Sequence, residues 1–348
     1  MEKQTIEVKQ IDWFDDHFYK IRYLNEAKVE VETYFPSITT KLGAISKPQL
    51  LRWYGDLGTV EAKRRTQEAG ERGSRIHWAW YYFTTGGAVV YQPPKAPLYS
   101  TEEMAEIYKR FNNQVFVLQN QDEMFDFLKM QRFHEIIKPE EMQSEIKVFN
   151  VEHNEAGTAD NIFILKEGEY EISGREKLKL EAGLYIFDLK TGRSINEEHF
   201  MQVSAYLMCA ESMGMGQFKG CLIGHTQAQI RTGIEGFKTY FWNREKALFY
   251  YEGYRDIARV WERNFGTKKP VIRQLPALVS LDKDLKWVKT TEKGEQKDGT
   301  ENRTDNTEKK VQKEKGQVVK TSPSKTQRKN EGTVGSEKQD SPKRSQHK

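Results

Sequence analysis

The sequence predicts a mixed α/β protein with helices in its first part and a sheet-containing core in its second part. Three observations support this fold class. The first 130 residues show mostly helical patterns. Beyond residue 143, short alternating or apolar runs typical of strands appear instead. Their order is strand, strand, strand, helix, strand, strand, helix, which indicates an α/β or α+β core.

In the N-terminal part, caps and chain breakers delimit the predicted helices. Ser46 and Pro48 indicate a helix start, because serine is a good N-cap and proline is tolerated in the first turn. The apolar face of that helix is predicted to consist of Leu50, Leu51, Trp53 and Tyr54. The remaining predicted segments are an extended or turn segment at 34–40, helices at 61–71, 73–83, 104–115 and 124–137, and a loop at 91–97.

In the second part, the strand predictions come from apolar runs and alternation. The run at 183–190 is apolar enough to be central in a sheet. The charged, glycine-containing stretch 167–181 is predicted to be an exposed hairpin or loop. The other predicted elements are strands at 145–151, 158–165, 218–225 and 236–242, and helices at 196–213 and 243–265.

The composition is uneven along the 348 residues. Residues 289–348 contain no aromatic residue, 16 Lys+Arg and 10 Asp+Glu, a net charge of +6. The whole chain carries +4, so residues 1–288 carry +4 less +6, which is −2. This excludes a protein that binds simply through strong basic charge. We predict a helical part at 1–142, a core at 143–288 and a disordered polar, basic tail at 289–348. That tail is either a solvated appendage or a non-specific polyanion tether.

Targeting and redox signals are sparse. No apolar window of about 18 residues predicts a membrane span. The N-terminus has charges throughout, unlike a signal peptide. Cys209 and Cys221 are the only cysteines, which suggests a reducing compartment such as the cytoplasm. Two cysteines cannot by themselves form a four-cysteine zinc or iron–sulfur site.

Three residues near the ends of predicted strands carry the chemistry. Asp160 and Asp188 form a carboxylate pair of the kind that binds Mg²⁺ or Mn²⁺. Lys190 lies two residues beyond Asp188, so both can face one site. A metal and a lysine together suit phosphodiester hydrolysis. An Asp-x-Lys pair alone is more typical of an ordinary surface strand, and its position at the end of an apolar strand is what favours a site.

The chain resembles the PD-(D/E)XK nuclease superfamily, most closely its RecB-like exonuclease branch, which includes phage, CRISPR-associated and mitochondrial genome-maintenance nucleases. The resemblance covers roughly residues 34 to 260. It implies a restriction-endonuclease-like mixed central sheet flanked by helices. The segments that carry it are Pro-Ser-Ile-Thr-Thr (36–40) with the stretch 47–53, Gly-Ser-Arg-Ile-His (73–77), Gly-Thr-Ala-Asp (157–160), Asp-Leu-Lys-Thr-Gly (188–192) and Gln-Val-Ser-Ala-Tyr (202–206).

The resemblance also implies metal ligands and a catalytic lysine. His77 would bind a metal ion or orient a ligand. Asp160 and Asp188 would bind Mg²⁺ or Mn²⁺, with the carbonyl of Leu189 as a possible backbone ligand. Lys190 would be the catalytic lysine. The iron–sulfur cysteines of some relatives are missing here, so no cluster is expected.

Further residues would complete the site. Gln202 and Tyr206, four apart on one helix face, would line it and touch substrate phosphate. Glu145, on the strand before Asp160, would be an auxiliary acid. The aromatic run 78–83 is predicted to be mostly core, with one or two residues able to stack on bases.

These observations predict a metal-dependent DNA nuclease, most specifically an exonuclease acting on DNA ends or single strands in replication, recombination or repair. The expected setting is the cytoplasm of a bacterial or phage-infected cell, with DNA as partner. Two alternatives remain at this point. One is a non-catalytic DNA-binding accessory protein. The other is a restriction-type endonuclease.

Overall fold

The computed structural model describes residues 5–13, 16–25, 27–173, 176–231, 233–266, 270, 274–276 and 287–289, which form a mixed α/β fold. The tail predicted at 289–348 lies outside this range apart from its first residue. The elements of the first part are β1 (Thr5–Trp13), β2 (Asp16–Leu24), β3 (Glu30–Pro36), α1 (Ile38–Leu42), α2 (Pro48–Leu57), α3 (Thr59–Thr84), β4 (Ala88–Tyr91), α4 (Thr101–Arg110), β5 (Val115–Leu118) and α5 (Gln121–Ile137).

The second part contains the main sheet and the two helices that follow its strands. Its strands confirm the pattern expected beyond residue 143. The stretch 167–181, expected to be an exposed hairpin or loop, forms a hairpin, but its Ile172 and Leu180 are buried. The elements are β6 (Glu141–Asn150), β7 (Glu155–Leu165), β8 (Gly168–Ser173), β9 (Glu176–Leu180), β10 (Gly183–Lys190), α6 (Glu197–Ser212), β11 (Phe218–His225), β12 (Lys238–Asn243), α7 (Arg244–Phe265), β13 (Gln274–Pro276) and β14 (Trp287–Lys289).

The central sheet has five strands in the order β12-β11-β10-β7-β6. β10 and β11 are parallel, and the chain between them forms α6. The other pairs in this sheet are antiparallel. Such a crossover through a helix is the usual way to join parallel neighbours. The sheet is therefore mixed, with β10 between an antiparallel and a parallel neighbour.

Helices cover both faces of this sheet because successive residues of a strand point to opposite sides. Ile186 of β10 packs in a cluster with α1, α6 and α7. The next residue, Phe187, packs in a second cluster with α3 and α5. Burying both faces explains why β10 is an almost continuous apolar run.

Strands β1, β2 and β3 correct the expectation of a helical N-terminus, because they form a three-stranded antiparallel sheet. Ion pairs cross its strands, with Arg22 2.9 Å from Glu7 and Lys20 3.1 Å from Glu32. The buried residues Phe18 and Ile21 lie on the same strand as the half-buried charges Lys20 and Arg22. Cross-strand charge pairs of this kind stabilise a sheet and obscure its apolar signal in the sequence.

Other differences concern the helices. The predicted helices 61–71 and 73–83 are one continuous helix, α3. α2 begins at Pro48 with Lys47 as its N-cap, rather than after Ser46. The expected apolar face of α2 is wrong for Leu50 and Leu51, which are exposed. The predicted helix 104–115 ends early, because its C-terminal residue belongs to β5, which pairs in parallel with β4.

In the part of the chain that the structure describes, none of the helices has both the length and the apolar character needed to cross a membrane. Cys209 and Cys221 are both buried and free.

Candidate functional site

Three acidic residues lie on adjacent strands of the central sheet. Glu145 is on β6, Asp160 on β7 and Asp188 on β10. Asn161 of β7 pairs with Ser144 of β6 and with Phe187 of β10. Because both strand pairs are antiparallel, Asp160, one residue before Asn161, lies level with Glu145 and Asp188, which each come one residue after these partners. The structure therefore brings together the acids that the sequence singled out.

Asp160 is held by two partners. Its Oδ1 lies 3.3 Å from Nδ1 of His77, and its Oδ2 accepts a 2.6 Å hydrogen bond from the backbone N–H of Leu189. Burial alone would raise the pKa of Asp160, but the charge and hydrogen bond of His77 hold this pKa below its usual value. Burial alone would lower the pKa of His77, and Asp160 raises it in turn. The pair therefore favours an ionised Asp160 beside a protonated histidine.

Asp188 has a different environment. The residue is 2% exposed, and burial raises its pKa to about 6, despite the nearby charge of Lys190. Lys190 Nζ lies 2.6 Å from Asp188 Oδ2. Within the described residues this oxygen nevertheless accepts no well-oriented hydrogen bond. The 2.6 Å ion pair with Lys190 is therefore the contact that compensates the charge of this buried carboxylate.

Lys190 is positioned from α6. Its Nζ donates a 3.1 Å hydrogen bond to Oε1 of Gln202, whose Nε2 donates a 2.7 Å bond to the hydroxyl of Tyr206. Gly157 of β7 makes this arrangement possible, since a Cβ there would overlap the Tyr206 ring. The glycine of the Gly-Thr-Ala-Asp segment thus lets α6 lie close to the strand that carries Asp160.

Glu145 is held in an unusual backbone conformation. Its φ of 53° lies in the left-handed region, which a residue other than glycine seldom adopts within a strand. Its side chain reaches solvent, yet desolvation by the surrounding protein and the negative charge of Asp160 raise its pKa to about 7. Strain of this kind clusters at functional sites.

A cleft of about 470 Å³ opens beside these groups, and the described residues that line it do not include Asp188, Lys190, Gln202 or Tyr206. His77, Glu145, Asp160 and Thr191 line it, together with Trp78. Trp78 is 52% exposed, so the expectation that the aromatic run is mostly core does not hold for it. We call this space the carboxylate cleft.

The carboxylates of the site can be compared with what a metal ion needs. Among the residues described, no three His, Cys, Asp or Glu side chains are arranged to hold one together. Mg²⁺, however, is usually held by one or two carboxylates plus waters and substrate. The donors Asp160 and Asp188 suit that chemistry. Leu189 reaches the site through its N–H, and its role as a carbonyl ligand stays a prediction.

Two kinds of candidate residue were missed in the sequence. The helical pattern of α3 does not reveal which side faces the cleft, so Trp78 was not separated from buried Trp80. Arg72, five residues before His77 on α3, donates a 3.2 Å hydrogen bond to the carbonyl of Thr191, beside the end of β10. In the sequence, the position of Arg72 directly before the Gly-x-x-x-His segment could have indicated that it lies near the site.

No protein-family model matches this chain, and no curated protein matches it in sequence. The resemblance to PD-(D/E)XK nucleases therefore stays a prediction that rests on the motifs.

Proposed function

We propose that the protein is a metal-dependent phosphodiesterase. More specifically, we propose a DNA exonuclease with the restriction-endonuclease-like core of the PD-(D/E)XK superfamily, acting on DNA ends or single strands. The observation that carries the proposal is the grouping of Asp160 on β7 with Asp188 and Lys190 on β10, at one end of a mixed sheet.

Each residue has a role that its contacts support. Asp160 and Asp188 would hold Mg²⁺ or Mn²⁺, which when bound would polarise the phosphate and lower the pKa of a water. His77 keeps Asp160 ionised. Lys190 carries a positive charge to the same place, where it can stabilise negative charge developing on the phosphate. Gln202 fixes the direction of Lys190 through its 3.1 Å hydrogen bond.

The first experiment measures cleavage. Purified protein should degrade linear DNA with Mg²⁺ or Mn²⁺ and stop when a chelator is added. Lys190→Ala and Asp188→Asn should each lower the rate about a hundredfold or more, because each removes charge that acts on the reacting phosphate. Lys219→Ala is the matched control, since Lys219 is an exposed lysine paired with Glu181 at 2.9 Å.

Circular dichroism would check that each variant is folded. A Lys190→Ala protein that cleaves as fast as the Lys219→Ala protein would show that the site is wrongly assigned. Covalently closed circles distinguish exonuclease from endonuclease, because an exonuclease leaves them intact.

The non-catalytic alternative has one observation in its favour, the lack of a three-ligand metal group among the described residues. It predicts that wild-type protein binds DNA yet cleaves neither linear nor circular substrates with either metal.

A further inference from the structure

A second and larger cleft adjoins the carboxylate cleft. Its volume is about 1000 Å³. Ala69 of α3 and Thr191, just after β10, line both spaces. A substrate bound over the carboxylates would therefore continue directly into the second space, which we call the arginine cleft.

The arginine cleft contains a compensated acid and surplus positive charge. Asp126 is buried and is engaged by Arg72, by Lys129 at 2.8 Å and by Gln227 at 2.9 Å. Two cations thus face one carboxylate at its floor. Arg72 and Lys129 both pair with the single carboxylate of Asp126. This group of three side chains therefore carries a net positive charge.

The rim carries charges of both signs. Arg193 lies on the loop after β10, is exposed, and forms no ion pair with any described residue. Arg132 also lines the cleft and pairs with Glu135 at 3.0 Å. The other carboxylates in the lining are Asp122 and Glu235. Arg193 is therefore the cation best placed to take a phosphate from solvent.

Apolar side chains lie among these charges. Phe125 and Leu128 of α5 line the cleft with 51% and 40% of their surface exposed. Cations can bind the phosphates of a nucleic acid, and an exposed aromatic ring can stack on its bases. The two together suit an unpaired polynucleotide, whose bases are free to stack on protein side chains. In a duplex the bases stack on one another and the backbone alone would face the ring, so the apolar surface would gain little.

We propose that the arginine cleft binds the unpaired strand of a nucleic acid next to the bond that is cleaved, with Phe125 stacking on a base and Arg193 contacting a phosphate. This inference rests on the proposed function and adds to it the substrate form and the residues that select it. Neither residue belongs to the carboxylate site, so replacing either one leaves that site unchanged.

The test is a binding measurement on the full chain in chelator, where no cleavage can occur. The probes are a fluorescein-labelled 12-nucleotide thymidine strand and a blunt 12-base-pair duplex, followed by fluorescence anisotropy. Phe125→Ala should weaken strand binding about 5- to 100-fold, the range for removal of one base–aromatic stack. Arg193→Ala should lower the slope of log affinity against log salt by about 0.7, as for one phosphate neutralised on a single strand.

Matched controls come from α7. Phe249 is 57% exposed, and Arg259 is exposed and paired with Asp256 at 2.6 Å. Phe249→Ala and Arg259→Ala should bind the strand as wild type does. Unchanged thermal unfolding of all four variants would show that differences in binding are local.

The outcomes separate the two proposals. If Phe125→Ala and Arg193→Ala bind the strand like their controls, or weaken strand and duplex equally, the arginine cleft does not select an unpaired strand. If the strand result is as expected but wild-type protein never cleaves with Mg²⁺ or Mn²⁺, the proposed function fails and the binding site stands.

Discussion

At the scale of single residues, the two aspartates of the site differ in ionisation because their neighbours differ. Asp160 faces His77, which holds the pKa of this aspartate low. Asp188 is buried, and its pKa rises to about 6 although Lys190 is close. Environments that separate the pKa values of paired acids are typical of functional sites. This difference could not be derived from the sequence, where both are simply strand aspartates.

His199 should make the stability of the protein sensitive to acid. Its Nδ1 accepts a 2.9 Å hydrogen bond from the backbone N–H of Asn196, which requires the neutral ring. Burial, with the charges of Lys190 and Lys47, lowers the pKa of His199 to about 4. An unfolded histidine has a pKa of about 6.5. As the pH falls below this value, the unfolded state binds the proton first, so stability is lost between about pH 6.5 and 4.

Urea unfolding at pH 7.5 and pH 5.0 would measure this effect against His199→Gln. Glutamine can accept the same hydrogen bond but does not titrate. Between the two pH values, wild type should lose about 1 to 2 kcal/mol more than His199→Gln. Equal losses in both proteins would show that His199 is not the sensitive group.

At the scale of elements, Gly157 sets the distance between β7 and α6. Gly157→Ala would push its new methyl group into the ring of Tyr206. We expect a loss of about 1 to 3 kcal/mol of stability, the usual cost of overpacking, and slower cleavage because Gln202 and Lys190 shift with Tyr206. Gly55→Ala of α2 is the control, since a Cβ there meets open space and Gly55 lines neither cleft. Both effects are measured by urea unfolding and by the cleavage assay, and a Gly157→Ala protein as stable as the control would contradict the packing argument.

A buried charge network joins β7 to α1 and α7. Glu155 is fully buried and accepts hydrogen bonds from Arg255 at 2.9 Å and from the Tyr251 hydroxyl at 2.8 Å. Lys41 of α1, also fully buried, lies 3.9 Å from the same carboxylate. Burial lowers the pKa of Lys41.

Glu155→Ala should therefore destabilise the protein by about 3 kcal/mol, the lower end of the range for a broken buried ion pair, because Glu262 is left to compensate both Lys41 at 2.6 Å and Arg255 at 3.5 Å. Glu152→Ala, at an exposed position three residues earlier, should change stability by less than about 0.5 kcal/mol. Chemical denaturation compares the two. A destabilisation by Glu155→Ala no larger than that of the control would mean that the remaining charges rearrange without cost.

How far the elements could be predicted from the sequence depended on their surroundings. β10 and β11 were found because both of their faces are buried, which leaves continuous apolar runs. The N-terminal strands were missed because half-buried charges such as Lys20 and Arg22 interrupt the apolar pattern. Buried charged residues such as Asp126 were missed because their partners, on other elements, are visible only in three dimensions.

At the scale of the whole molecule, the slightly acidic stretch 1–288 and the basic segment that follows it allow a direct test of the tether hypothesis. Residues 291–348 carry 15 Lys+Arg and 10 Asp+Glu. A chain ending at residue 290 keeps the pairing of β13 with β14. It should cleave linear DNA at the wild-type rate. The slope of its log affinity against log salt should be shallower by about 0.7 to 0.9 for each phosphate that the segment neutralises in the full chain.

Anisotropy titrations at several salt concentrations would give that slope, with the full chain as reference. An unchanged slope would identify the segment as a solvated appendage that contributes nothing to DNA binding.

One helix, α3, forms part of the wall of both clefts, with Arg72 and His77 little more than one turn apart. A helix is stiff over this length, and inserting a single residue between the two would rotate one against the other by about 100°. Natural variation is therefore expected to change these two walls by substitution and not by insertion or deletion. The described residues of the β8–β9 hairpin line neither cleft, so a reporter or an affinity sequence inserted in that hairpin should leave both walls unchanged.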